Sequence, residues 1–183
     1  MTYVALLRGI NVGGKNKIEM RRLKGSFEHA GIGEVETYIN SGNIVFAEND
    51  RTPSEIESAI EKLILDDFGL EIPVVLRSFD EFESIARALP DHWTNDSSAK
   101  SDVLFLWKEI DNESLLEHLT VTPDVDEVRY IPGALLWSAP REHASRSGLM
   151  QLARSHYYRK MTVRNVNTTR AIYAIMQQRS ERT

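Results

Sequence analysis

The chain has 183 residues, 42% apolar and 27% charged, with a formal net charge of −5 and no cysteine. That length buries a core without staples, and the lack of cysteine excludes disulfides, thiolate catalysis and sulfur-based zinc sites. No stretch approaches the roughly 20 apolar residues of a membrane span, and strand-like sequence from Tyr3 leaves no room for a signal peptide, so a cytoplasmic chain without a membrane partner is expected.

In chain order, residues 3–8 read as an apolar strand, followed by the glycine-rich run Gly9 to Asn16. A helix from about Lys17 to Ala30 places Met20, Leu23, Phe27 and Ala30 at helical spacing, with Gly31 as its stop. Two strands, 34–39 and 43–47, meet in a tight turn through Ser41 and Gly42. Thr52, Pro53, Ser54 and Glu55 then form a capping box with proline at the first turn, opening a helix whose buried stripe is Ile56, Ile60, Leu63, Ile64 and Phe68 and whose end is Gly69. A strand over 72–77 completes a unit, and Ser78 with Glu81 makes another capping box.

A polar stretch from Pro90 to Lys100 reads as a linker, after which the same order recurs. Residues 102–107 read as a strand, 113–119 as a helix capped by Asp111 or Asn112, and 127–131 with 134–138 as a hairpin. A helix over 148–158, a short strand over 161–164 and a last helix over 168–178 follow. Tyr38, Ile39, Gly42 and Phe46 in the first hairpin match Tyr130, Ile131, Gly133 and Trp137 in the second. The reading is an α+β fold of duplicated ferredoxin-like βαββαβ units with an extra C-terminal helix, divided as 1–78, a helix and linker over 79–100, and 101–183. Several strands are apolar on both faces, so either the two halves cover each other's sheets or a second copy of the chain does, as a homodimer.

The net charge conceals a segregation. Residues 1–25 carry six basic and one acidic side chain, residues 141–183 carry nine and two, and the middle carries seven and 24. If the ends meet, they form one basic patch on an acidic body, which favours a compact anion over a long polyanion.

The segments ALLRGINVGGKNK (5–17), TYINSGNIVF (37–46) and RNVNT (164–168) resemble the bacterial family catalogued as domain of unknown function 1697. The resemblance implies a cytoplasmic protein of duplicated ferredoxin-like build and brings no established activity, cofactor or catalytic residue. Val166 stands where the family pattern carries a tryptophan.

Three clusters can carry chemistry. The first is Arg8, Asn11, Gly13, Gly14, Lys15 and Lys17: glycine-permitted conformations turn successive N–H groups into one concavity, Arg8 can hold a carboxylate or phosphate in bidentate fashion, and Lys15 supplies a point charge. The alternative is a connection needing positive φ, with solvated lysines. The spacing Gly9, Gly14, Lys15 fits GxxxxGK, but Asn16 stands where a P-loop needs a magnesium-binding hydroxyl, so a nucleotide triphosphatase is not expected. The second cluster is Asn40, Ser41, Gly42 and Asn43, which are also the residues a hairpin turn requires. The third is Arg164, Asn165, Asn167 and Thr168, where Asn167 or Thr168 is expected to cap the last helix.

His29, His92, His118, His143 and His156 lack metal-ligand spacing, so no metal and no cofactor are expected, and His143 is the least remote general base. The sequence therefore reads as a binder of a small phosphate- or carboxylate-bearing ligand at residues 9–17, completed by Ser41, Asn43, Arg164 and Asn167. An enzyme of phosphoryl or group transfer in the same pocket, a nucleic-acid-binding module and a dimeric interaction protein remain the alternatives. No catalytic residue is assigned.

Overall fold

A computed structural model describes residues Met1–Glu181. The fold is mixed α/β, with two four-stranded antiparallel sheets and helices, in two compact β-rich units. One unit comprises Met1–Phe82 with the chain from Ile172 onward, the other Glu83–Ala171.

The first unit runs β1 (Thr2–Leu7), α1 (Met20–His29), β2 (Gly33–Tyr38), β3 (Asn43–Ala47), α2 (Pro53–Phe68) and β4 (Val74–Ser78), in sheet order β2-β3-β1-β4. α2 forms as its sequence dictates. The Thr52 hydroxyl accepts from Glu55 N–H while the Glu55 carboxylate accepts from Thr52 N–H at 2.8 Å, and Gly69 closes the helix at φ 66°. Ile56, Ile60 and Ile64 of α2 and Met20, Leu23 and Phe27 of α1 pack on Tyr3, Ala5, Leu7, Ile44 and Phe46 of the sheet. Phe27 meets Phe46 edge-on at 5.9 Å, and its full burial contributes about 2–3 kcal/mol.

α1 begins at Met20, three residues later than the hydrophobic spacing suggests. The cause is Asn11. Its Oδ1 accepts from Ile18 N–H at 2.9 Å and its Nδ2 donates to Ile18 C=O at 2.9 Å, so both backbone groups of Ile18 are taken and the chain stays extended through Glu19.

α3 (Phe79–Ala88) starts with the expected Ser78–Glu81 box, with Ser78 N–H donating to the Glu81 carboxylate at 2.8 Å. The second unit then runs β5 (Ala99–Leu106), β6 (Glu127–Ile131), β7 (Ala134–Pro140), α4 (Leu149–Leu152), β8 (Met161–Asn165) and the start of α5 (Val166–Ser180), whose residues from Ile172 belong to the first unit; the sheet order is β6-β7-β5-β8. Its core gathers Leu104, Leu106, Leu135, Trp137, Leu152 and Met161.

Two helices expected here are shorter or tighter. Residues Glu113–His118 form a 3-10 turn, capped by Asn112 as anticipated, and the helix expected over 148–158 is reduced to α4 with a 3-10 turn at Tyr157–Lys160. Only Leu152 of α4 is buried, and the following Arg154, Ser155 and His156 offer no apolar stripe to hold a longer helix on the core. The start of α4 is fixed instead by Asp126, which accepts from Gly148 N–H at 2.8 Å, Thr122 N–H at 2.8 Å, Trp137 Nε1–H at 3.0 Å and the Ser147 hydroxyl at 2.5 Å.

The two units repeat each other in register as well as strand order. Val4 faces Arg77 across β1–β4, as Val103 faces Arg164 across β5–β8. Leu7 N–H donates to Gly42 C=O and Arg8 N–H to Pro73 C=O; likewise Leu106 N–H donates to Gly133 C=O and Trp107 N–H to Lys160 C=O. Arg77 and Arg164 are both buried, and each donates Nη1–H to the carbonyl of the residue before it, Leu76 and Val163, at 2.8 Å.

All six residues of β1, and Ser101–Leu106 of β5, are buried within the one chain. Among the described residues the exposed large apolar side chains are Met1, Val12, Ile39, Leu65, Val121 and Met150, none on a strand. No helix of the described residues is long and apolar enough to cross a membrane.

Candidate functional site

The glycine-rich run folds back on itself. Gly13 and Gly14, at φ 58° and 76°, form a two-residue turn in which Lys15 N–H donates to Val12 C=O at 3.0 Å, and Asn11 N–H donates to Asn16 C=O at 3.1 Å. Asn16 Nδ2 donates to Gly9 C=O at 3.0 Å. It is a small hairpin, and residues 17–19 separate it from the start of α1. Its lysine, Lys15, is exposed.

Asn11 locks this hairpin to the turn between β2 and β3, because its Nδ2 also donates to Asn40 C=O at 2.8 Å. On the other side Gly42, at φ 76°, lies so close to β1 that an added Cβ would sit 2.7 Å from Leu7 Cβ and 2.9 Å from Ile10 Cδ1. Asn43, fully buried, donates Nδ2–H to Tyr38 C=O at 3.0 Å and to Ser41 Oγ at 2.9 Å. Asn11, Ser41 and Asn43 are thus engaged in shaping the two loops.

Beside these loops and the first turn of α1 is a hollow of about 640 Å³, lined by Asn11, Gly14, Lys17, Ile18, Glu19, Met20, Arg22, Asn40 and Phe68. Of the residues anticipated for an anion site, Asn11, Gly14 and Lys17 line it; Arg8, Gly13, Lys15, Ser41 and Asn43 do not. The Arg22 guanidinium lies 4.6 Å from the centroid of the Phe68 ring and donates to Asp67 C=O at 2.5 Å, which leaves most of its five N–H groups uncommitted to that bond.

Electrostatically the hollow is unusual for this chain. α1 has no side-chain cap bond and no acidic residue in its first turn, where Arg21 and Arg22 stand instead. A helix N-terminus carries roughly half a positive charge, so these arginines and Lys17 add to it rather than offset it. α2, α3 and α5 all have side-chain caps. Two other hollows are acidic: one of about 590 Å³ holds Glu61, Asp66 and Glu71 against a Lys62 already paired with Asp66 at 2.6 Å, and one of about 420 Å³ holds Asp124, Asp126 and Glu127.

The third anticipated cluster lies in the second unit. Arg164 is buried on β8, where its Nη1 donates to Thr162 Oγ1 at 3.1 Å and burial lowers its pKa to about 10. The cap of α5 is Asn165, whose Oδ1 accepts from Thr168 N–H at 2.8 Å, and not Asn167 or Thr168 as expected. Helix geometry begins at Val166, so Asn167 and Thr168 are already inside the helix; Asn167 is exposed and donates to Asn95 C=O at 3.1 Å, and Thr168 is buried.

The model of the protein family of unknown function DUF1697 matches residues 1–137. The chain belongs to the DUF1697 family. The match includes both loop segments and every residue of the basic hollow, while residues 164–168 lie beyond it. This DUF1697 chain is also similar to the solved structure of the conserved bacterial protein SP0830 from Streptococcus pneumoniae, at 29% identity over 96% of this chain and 98% of that one, with a TM-score of 0.81. None of the curated proteins matches it.

Sequence reasoning on the DUF1697 chain missed Ile18, Glu19, Met20, Arg22 and Phe68. Arg22 carried little signal, because Asn16 stands before the expected helix start at Lys17 and reads as an ordinary cap, and only the start at Met20 puts the adjacent arginines in the first turn. Phe68 had none, because its stripe position on α2 reads as core and only the chain's return brings it beside Arg22.

Proposed function

We propose that this chain binds a small phosphate- or carboxylate-bearing ligand, in the cytoplasm, in the hollow at the start of α1. The observation that carries the reading is an uncapped helix N-terminus with Arg21 and Arg22 in its first turn, forming the wall of a 640 Å³ cavity that also bears Lys17. An anion there accepts from the free N–H groups of the first turn and offsets the accumulated positive charge. Charge-assisted hydrogen bonds contribute about 1.5–3 kcal/mol each and the helix end about 0.3–1 kcal/mol, against an association cost of at least about 4 kcal/mol, so affinities between millimolar and micromolar are expected.

The fold reading that accompanies this is a ferredoxin-like βαββαβ unit, duplicated. Identical strand orders, matching registers and the paired Arg77 and Arg164 support it. On that reading the two copies have diverged where it matters for binding. After its first strand, the first copy carries the hairpin and α1, whereas the second carries 3-10 turns at Lys108–Ile110 and Glu113–His118.

Titration calorimetry with inorganic phosphate and ribose 5-phosphate tests the site. The wild type should bind at least one of them, Lys17→Ala combined with Arg22→Ala should weaken that binding by at least tenfold, and Lys15→Ala should leave it within about twofold. Equal affinity in the double variant would place the anion elsewhere.

A further inference from the structure

The two sheets have four edge strands, β2 and β4 in the first unit and β6 and β8 in the second. A free edge presents a row of unpaired N–H and C=O groups, a template for pairing with another chain. Three of the four are blunted within their own unit. On β4 the Glu61 carboxylate accepts from Val74 N–H at 3.2 Å and the Glu57 carboxylate from Leu76 N–H at 3.4 Å. On β2 the register shifts between Gly33 and Glu36, while Arg179 donates to the Glu34 carbonyl and lies 3.7 Å from the Glu36 carboxylate. On β8 the Arg164 guanidinium donates to the Val163 carbonyl at 2.8 Å.

β6 is left open. Its register against β7 is unbroken from Glu127 to Ile131. Counting back from the two-residue turn at Pro132 and Gly133, Ile131, Arg129 and Glu127 hold the ladder to β7, so alternation aims the N–H and C=O of Val128 and Tyr130 away from it. Among the described residues no group bonds to the backbone of Val128 or Tyr130 on that side. The Glu127 and Arg129 side chains, which share one face and pair with each other, are 47% and 49% exposed, so the strand is reachable from solvent.

Charge selects the occupant, because the edge is complementary to itself. An antiparallel copy of β6, related by a two-fold axis at Val128, sets Glu127 opposite the partner's Arg129 and Arg129 opposite the partner's Glu127. These are the closely spaced positions of the new ladder, where cross-strand side chains come nearest, while Val128 exchanges N–H and C=O bonds with Val128 of the partner subunit. Slipping the copy by two residues either way sets arginine against arginine or glutamate against glutamate, which is unfavourable. We propose that β6 is a dimerisation strand through which two copies of this chain pair about Val128, joining their second-unit sheets into one of eight strands. The partner extends the sheet at its edge and covers no apolar face.

Sedimentation velocity on the full chain tests this. The wild type should pass from monomer at about 1 µM to mostly dimer at about 500 µM, the weak association of a small interface; a monomer throughout overturns the proposal. Glu127→Arg and Arg129→Glu should each stay monomeric at about 500 µM, because each sets like charges across the two-fold axis. An equimolar mixture of the two should dimerise, since an arginine-bearing strand then meets a glutamate-bearing one. Dimers that persist in either single variant, or a mixture that stays monomeric, would remove β6 from the interface. Val128→Pro deletes an outward N–H without touching the ladder to β7, so it should fold and remain monomeric, and a folded Val128→Pro that dimerises like the wild type also overturns the assignment. Far-UV circular dichroism melts show which variants are folded.

Discussion

Gly42 and Asn11 do at single positions what fixes the shape of the hollow's rim. Gly42 sits at φ 76° with its missing Cβ 2.7 Å from Leu7 Cβ, so Gly42→Ala adds both backbone strain and a steric conflict with β1. The expected destabilisation is about 2–5 kcal/mol, read as a lower urea midpoint, from about 1–2 kcal/mol of left-handed strain plus about 1–3 kcal/mol of overpacking. A midpoint unchanged from wild type would mean that the turn has room to move. Asn11 is read in sequence as part of an anion cradle, yet all three of its described side-chain bonds go to Ile18 and Asn40. Its residue type was legible and its target was not, because Asn40 is 29 residues away and no local pattern announces the pairing.

At the scale of elements, what was legible is what is encoded locally. The Thr52–Glu55 box, the Ser78–Glu81 box and the Gly69 stop all form as their residue types require, since each involves groups within four residues of one another. The start of α4 was not legible, because it hangs on Asp126. There burial opposes the charge, but the Ser147 hydroxyl, the Thr122 and Gly148 N–H groups and the Trp137 indole outweigh it and lower the pKa below the ordinary carboxylate value. A carboxyl whose folded pKa is depressed contributes stability above its unfolded pKa, near about 3.9, and loses it as pH falls through the still lower folded value. Asp126→Asn should therefore lower stability at pH 7 by about 2–3 kcal/mol, and the gap to wild type should narrow as the pH falls below the ordinary carboxylate range. A pH-independent gap would show that the carboxylate's charge is not what organises Thr122, Ser147 and Gly148.

Over the whole molecule, the architecture was read more fully than the site. Two four-stranded antiparallel sheets follow from the alternation of short apolar runs with turn residues, and the matched hairpins at Tyr38–Phe46 and Tyr130–Trp137 pointed to two related units. The helices of the second unit were over-read because periodicity does not separate a 3-10 turn from an α-helix over six residues. The concentration of basic residues near the amino end was visible in sequence, and the hollow uses part of it: Lys17 and Arg22 line the cavity, while Lys15 stands on the exposed hairpin. What the linear pattern concealed was that α1 begins late, so that its uncapped first turn lies beside the hollow together with Gly14 of the glycine run.

The most direct measurement is an amide chemical-shift titration of the full-length protein with inorganic phosphate at low ionic strength. Saturable shifts confined to Gly14, Lys17, Met20, Arg21 and Arg22 are expected, and they should disappear in Lys17→Ala with Arg22→Ala. Shifts that miss the first turn of α1, or none at all up to tens of millimolar phosphate, would contradict an anion site there.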